Sequence, residues 1–397
     1  MKIKIIGIIL VIWSVGVSQA QKLDYFIQSA LENHLVIQQK TAELDALKFV
    51  KDQSSPWSDL SIDGGYNLAK NGMENWSISL MQSVSLSGVT RAEKQVAAEG
   101  ENVSFWALKD VQKQVVVEVS ELYYELAVVR EEISLQEQNY QTYSELEKLA
   151  QNQVSSGKGK MVDVVRAQIN KKESEAVRKV LLEKEQDLKE RFNILLVRPS
   201  KADIEVDQID LDNTFQGVDF ANHPLMKGAE AKIKYVEAQT ELAKKVGSPV
   251  LSFGVEYMNM NPMMDAAKHE VMPMVGVSLP LFRKKYKARV KQSLSDRLAV
   301  EKEKDWLANQ LEREHRKLQS DIKQKNIQVQ FAKEKVEQLE EAKELLIGYY
   351  ISNGESFDEL MRIQQEVLSV KMDQLELKQQ LLSLSLAWNY LFKEIEG

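Results

Sequence analysis

The chain is written twice, and that repeat limits its fold more than any single motif. Leu60-Ser61-Ile62 followed by Tyr66 is echoed by Leu251-Ser252-Phe253 followed by Tyr257. Upstream, Asn33-His34 is echoed by Asn222-His223. Downstream, Gly159-x-x-x-Asp163-x-Val165 is echoed by Gly354-x-x-x-Asp358-x-Leu360. The three offsets are 191, 189 and 195 positions. The near-constant offset places a first repeat at 21–197 and a second at 221–397. The segment 198–220 between them is rich in Pro, Asp and Asn, which break a helical pattern. Each repeat reads as a short helix, two strands, a long helix, a turn and a medium helix. In the first these fall at about 23–54, 58–68, 75–84, 88–153 and 161–197. In the second they fall at about 223–247, 250–259, 271–280, 284–352 and 356–395.

The strand segments alternate. Leu60, Ile62, Tyr66 and Leu68 interleave with Ser61, Asp63, Gly65 and Asn67. Trp76, Ile78 and Leu80 interleave with Ser77, Ser79 and Met81. Leu251, Phe253, Val255 and Tyr257 interleave with Ser252, Gly254, Glu256 and Met258. Val271, Val275, Val277 and Leu279 stand opposite Met272, Met274, Gly276 and Ser278. Segments of about ten residues with one apolar and one small or polar face suit transmembrane barrel strands. They also suit a hairpin that buries one face. Four strands cannot close a barrel, since the smallest have about eight. Either several chains share one barrel, or the strands form a sheet outside the membrane.

The helical segments are long. A helix of about 66 residues at 88–153 spans roughly 100 Å. Apolar residues recur at threes and fours through Val336, Leu339, Ala342, Leu346 and Tyr349, and again through Ile363, Val367 and Val370. This is coiled-coil spacing.

The N-terminus, MKIKIIGIILVIWSVGVSQAQ, has a basic start, an apolar core too short to span a bilayer, and small residues at Ser18 and Ala20. It reads as a signal peptide over 1–20. No cysteine follows the predicted cut, so no lipid anchor is expected there. The whole chain has no cysteine and only four histidines, which leaves no thiol nucleophile, disulfide or zinc-thiolate site. Its net charge of −7 makes it a poor nucleic-acid ligand. No catalytic constellation stands out, "GKGK" lacks the context of a phosphate loop, and no cofactor is implied. The chain does not read as an enzyme.

Taken together, the doubled order of elements and the turns "SSGKGKMVDVVRAQ" and "SNGESFDELMRIQ" resemble those of the TolC-like outer-membrane efflux channels. So does the junction "MPMVGVSLPLFRKKYKA". The resemblance covers essentially all of the mature chain. It implies a mostly α fold with a β-barrel part. Four transmembrane strands per chain would enter a 12-stranded barrel shared by a homotrimer, and long periplasmic coiled-coil helices would extend from it. It also implies a cell outer-membrane location reaching into the periplasm, contact with outer-membrane lipid, and no covalent chemistry. The implied partners are a periplasmic adaptor protein and an inner-membrane pump of the resistance-nodulation-division or ABC type. Branches of the family export copper or silver, drugs or metabolites, or secrete proteins by the type I route. A periplasmic coiled-coil scaffold or adaptor without a barrel is the competing reading.

Two sets of residues are candidates for function. The resemblance places Gly159, Asp163, Gly354 and Asp358 at the periplasmic tip and gate, the aspartates in a ring of carboxylates that would attract cations. The plain alternative for each aspartate is a first-turn carboxylate favoured by the helix dipole. The family's second tip aspartate is replaced by Arg166 and Met361. The other set is "YMNMNPMMDAAKHEVMPM", which holds six of the 13 methionines. Met258, Met260, Met263, Met264, His269, Met272 and Met274 offer thioethers and an imidazole, donors that suit Cu(I) and Ag(I). On the alternation above, Met258, Met272 and Met274 share the polar face with Met81. Met260, Met263, Met264 and His269 fall in the connecting loop. The alternative is that these methionines are flexible apolar lining.

Overall fold

A computed structural model describes residues 23–68, 74–85, 87–206, 220–261 and 268–392. The first repeat supplies helices α1 (Leu23–Asn33) and α2 (Leu35–Lys48), strands β1 (Ser61–Leu68) and β2 (Glu74–Ser85), and helices α3 (Val89–Ser155) and α4 (Met161–Leu195). The second supplies α5 (Pro224–Lys245), β3 (Val250–Asn261), β4 (Lys268–Ser278), α6 (Arg283–Asn353) and α7 (Phe357–Phe392). The fold is mostly helical with one four-stranded antiparallel sheet. The segment 1–20 expected to be a signal peptide, most of the joining segment (207–219), and Met263 and Met264 lie outside the described residues.

One expectation is corrected. The first short helix, read as continuous over 23–54, breaks at His34, whose backbone is extended (φ −64°, ψ 126°). His34 is the N-cap of α2, and its repeat partner His223 is the N-cap of α5. His223 does this with its side chain, its Nδ1 accepting from the Leu225 amide at 3.2 Å. A helix start needs acceptors for its free amides; His34 makes no side-chain cap bond, so what the two Asn-His pairs share is the extended histidine backbone at a helix start.

The chain divides into two compact units, and each draws on both repeats. One comprises 1–30, 119–212 and 332–379. In it Phe26 of α1 packs edge-on against Phe192 of α4, ring centroids 5.0 Å apart, and lies 6.0 Å from Tyr123 of α3. Tyr143, Leu146, Ala150, Val164, Ala167, Tyr350, Phe357, Leu360 and Met361 form a second apolar cluster in this unit. Polar side chains cross this core as partners: Gln364 donates to Asn139, which donates to Ser174.

The other unit comprises 31–118, 213–331 and 380–397. Met226, Leu311, Leu318, Ile322, Trp388 and Leu391 form its helical core. It also holds the sheet, in the order β1-β2-β3-β4. The central pair, β2 and β3, joins the two repeats from Glu74↔Asn261 to Ser85↔Val250. The outer edges of β1 and β4 have no strand partner among the described residues. All four strands meet helices at one end, and the connections β1–β2 and β3–β4 lie at the other. No described helix is long and apolar enough to cross a membrane.

The register sorts the sheet into two faces. One carries the rows Ile62, Leu80, Val255, Pro273 and Gly64, Ile78, Tyr257, Val271. Most large residues of this face are exposed, up to 73% for Val275, while Leu251 and Tyr257 are half-buried and Val84 is buried at the helix end. The other carries Ser61, Met81, Gly254, Met274; then Asp63, Ser79, Glu256, Met272; then Gly65, Ser77, Met258, Glu270. Folding thus leaves the apolar face uncovered and the small, polar face opposite it.

Candidate functional site

The two turns, α3–α4 and α6–α7, lie together in the first unit. Each leaves its helix through a left-handed glycine, Gly157 (φ 76°) and Gly354 (φ 68°). Such a backbone costs most other residues about 1–2 kcal/mol. The α3 end is closed by Gln153, whose carbonyl accepts from the amides of Lys158 and Gly159 at 3.0 and 2.9 Å. Gln153 also donates its side-chain amide to the Ile351 carbonyl at 2.9 Å, tying one turn to the other. At Gly354 a Cβ would stand 2.2 Å from the Lys158 carbonyl oxygen. Gly159 has no left-handed backbone, but a Cβ there would stand 2.8 Å from the Gln153 Cβ. Alignment by sequence offset pairs Gly159 with Gly354. By conformation the equivalent of Gly354 is Gly157, two residues before the position that the repeat offset of 195 gives.

Asp163 and Asp358, equivalent by repeat, stand in different surroundings. Asp163 is in the first turn of α4 and 5% exposed. Its carboxylate accepts from the Lys160 backbone amide at 3.4 Å and from the Tyr350 hydroxyl at 3.3 Å. Burial, and then the Asp163 charge, push the Tyr350 hydroxyl up to about 12, which keeps it a donor. This is the helix-start role for a carboxylate, completed by a side chain from α6. Asp358 is exposed in the first turn of α7 and pairs with Arg166 of α4. Arg166 and Met361, the positions three residues beyond the two aspartates, also differ in their surroundings. The first neutralises Asp358 and the second is buried in the apolar cluster. Tyr350 and Arg166 therefore belong to this site. The seam spacing points to Tyr349, but Tyr349 is exposed and its neighbour Tyr350 is the buried one.

The methionine stretch is divided by the sheet. Met258, Met272 and Met274 lie on the polar face with Met81. Glu256 pairs directly with Met272, and Gly254 sits between Met81 and Met274. The absence of a Cβ at Gly254 makes room for Met81: a Cβ there would stand 2.8 Å from the Met81 Cγ. The Met81 methyl reaches across β3 to 4.0 Å from a Cβ position on Gly276 of β4. Met260 lies in β3 opposite Lys268. His269 is not in a loop. It lies in β4 opposite Asn259, on the apolar face. Its Nδ1 is 2.6 Å from the Tyr257 hydroxyl, and the two rings stack with centroids 5.8 Å apart. The strand period of two separates it from the methionines.

On the apolar face the hairpin end carries Tyr66, Trp76, Tyr257 and His269, with Trp76 and Tyr257 5.4 Å apart. At the helix end stand Trp57, bridged to Val84, and exposed Phe282. From Trp76 to Val84 is eight strand positions, or roughly 26 Å along the strand at about 3.3 Å each.

Residues 26–195 match the outer membrane efflux protein family. No curated protein sequence matches the chain. Among solved structures, the chain is similar to the outer-membrane channel OprN, with a TM-score of 0.78 at 16% identity, over 94% of this chain and 90% of that one. It is similar to the outer membrane protein VceC from Vibrio cholerae, with a TM-score of 0.76 at 13% identity, over 93% and 95%. It is also similar to CusC, described for its transmembrane channel formation, with a TM-score of 0.75 at 14% identity, over 94% and 92%. The chain thus carries the outer membrane efflux protein family's signature in its first repeat, on a fold shared with solved outer-membrane channels over more than nine-tenths of its length.

Proposed function

We propose that the chain is one subunit of a trimeric outer-membrane efflux channel, a passive duct and not an enzyme. The observation that carries this is the sheet. Among the described residues it has two free edges, a largely uncovered apolar face, an aromatic row at the hairpin end of that face, and Trp57 and Phe282 near its helix end. Four strands cannot close, and free edges pair with other chains. Three copies would make a 12-stranded barrel without edges. The apolar face would then meet lipid between two aromatic girdles, a spacing that suits the roughly 25 Å apolar band of such barrels. The polar face would line the pore. The long helices would extend into the periplasm, and the two joined turns would form the gate where a periplasmic adaptor and an inner-membrane pump dock. Cell fractionation tests this. The protein should enter the outer-membrane fraction as a trimer that separates on heating. Soluble monomer after export would favour the scaffold reading.

A specific observation bears on cargo. Threefold repetition of Met81, Met258, Met272 and Met274 with Glu256 would line the pore with thioethers and carboxylates, donors suited to soft cations such as Cu(I) and Ag(I). We assign these ions as the cargo ahead of drugs or metabolites. Growth of a strain lacking the chain on copper and silver salts, against detergents and hydrophobic drugs, tests the choice. Sensitivity to the organic compounds alone would make the methionines lining.

A further inference from the structure

The start of α6 carries an unusual charge. Residues 283–297 hold seven cations (Arg283, Lys284, Lys285, Lys287, Arg289, Lys291 and Arg297) and one acid, Asp296, in a chain that is acidic overall. The matching stretch of the first repeat, 89–103, holds two cations and three acids. Repeat geometry therefore does not require the charge. Local stability does not favour it either, because cations in a first turn oppose the helix dipole, and α6 has no acid there.

Of the seven, only Arg297 is paired, with Glu237 and Glu301. Lys285 lies over the Tyr286 ring. Among the described residues none of the other six meets a carboxylate, and all six are exposed. At 100° per residue Arg283, Lys284, Lys287 and Lys291 share an arc of about 100°. The inner side of the helix is fixed elsewhere. Tyr286 packs where a Cβ on Gly247 would stand 3.0 Å away, and the Ser293 hydroxyl bonds Thr240 at 2.7 Å. Directly before the cations come Leu281 and Phe282, 79% and 82% exposed. They follow β4 at its helix end, in the short link between Ser278 and α6. The order along the chain is therefore an apolar band, two bare apolar anchors, then unpaired cations.

We propose that this surface binds the anionic headgroups of phospholipids in the periplasmic leaflet. Leu281 and Phe282 enter the acyl boundary, and Arg283, Lys284, Lys287 and Lys291 hold the phosphates. The inference rests on the channel reading, which sets the direction of the barrel in the membrane. Its physical basis is charge complementarity at the rim of an apolar band, where each cation near an anionic surface adds roughly fivefold in affinity.

The test uses the assembled mature channel in a zwitterionic detergent. Its heat dissociation is followed while phosphatidylglycerol, phosphatidylcholine or inorganic phosphate is added. Phosphatidylglycerol should raise the dissociation temperature at concentrations at least about tenfold below those needed for phosphatidylcholine. The variant R283Q/K284Q/K287Q/K291Q should lose that preference, and K284R/K287R/K291R should keep it. The arginine variant also serves if the glutamine variant does not assemble: loss of preference there, or equal action of the two lipids on the native channel, overturns the proposal. An equal effect of inorganic phosphate would assign the surface to free anions and overturn it too. A protein that never forms an outer-membrane trimer would fail before any lipid is added, and that result would count against the channel reading.

Discussion

The joined turns make a prediction with a definite order. Gly354 is constrained twice, by a left-handed backbone and by the Lys158 carbonyl at 2.2 Å from its Cβ position. Gly157 is constrained once: its backbone is left-handed, but no atom lies within 4 Å of a Cβ. Gly348, in the helix before the second turn, has neither constraint. Gly157→Ala should cost about 1–2 kcal/mol locally. Gly354→Ala adds a clash with backbone, which no rotamer relieves, for a total of about 2–5 kcal/mol. Gly348→Ala should stabilise by about 0.5–1 kcal/mol, the helix-interior gain of alanine over glycine. Trypsin cleavage at exposed Lys158 and Lys160 under native conditions reads the opening of this region, and about 1.4 kcal/mol corresponds to a tenfold rate. Cleavage should quicken about tenfold in Gly157→Ala and at least about thirtyfold in Gly354→Ala. In Gly348→Ala it should slow. Equal rates for the first two variants would refute the reasoning, because they would mean that the turns do not meet at Gly354.

Other predictions follow from the same geometry. Tyr350→Phe removes a buried donor to Asp163, a loss of about 1 kcal/mol or more, whereas Arg166→Ala removes an exposed ion pair worth about 0–1 kcal/mol. Single-channel recordings should therefore show more frequent opening in Tyr350→Phe than in Arg166→Ala; the reverse order would remove Asp163 from the gate. Burial first, and then Lys113, hold His223 down at about 4, against about 6.5 for a free histidine. The unfolded chain then takes up the proton first, so stability should be unaffected above neutrality. It should fall by up to about 3 kcal/mol as pH drops from about 6.5 to 4. His223→Asn, which keeps an acceptor at the helix start, should flatten the melting curve in that window. Parallel curves for the two proteins would rule out His223 as the cause. Replacing Met81, Met258, Met272 and Met274 together with Leu should leave trimers intact and lower silver tolerance. Unchanged tolerance at equal channel abundance would remove the thioether route.

Much of this fold is legible because its signals are local. A period of two marks each strand, and β3 and β4 begin and end within a few residues of the alternation that predicts them. The apolar seams mark α6 and α7 in the same way. What the sequence hides depends on register and close approach. His269 and Met272 are three residues apart, but strand pairing puts them on opposite faces. Gly157 and Gly159 look alike as letters; only the backbone shows that one turns the chain and the other makes room for Gln153. Asp163 and Asp358 are equivalent by repeat, yet Tyr350 and Arg166 come from distant segments to separate their roles. The cations of α6 stood in plain view within "LFRKKYKARVK". Their meaning depended on the exposed junction they follow and on the lack of acids across from them.

The central claim is that the free edges of β1 and β4 pair between chains. The absence of native cysteine makes this directly measurable. Cysteine placed at Gly65 in β1 can be combined in turn with cysteine at Glu270, Met272, Met274 or Gly276 in β4. Paired strands bring side chains close enough for a disulfide at one or two of these positions. Under oxidation the account predicts, for those pairs only, covalent dimers and trimers in outer membranes, with the ladder ending at three. Monomer at every position, or a ladder that continues beyond three, would contradict it.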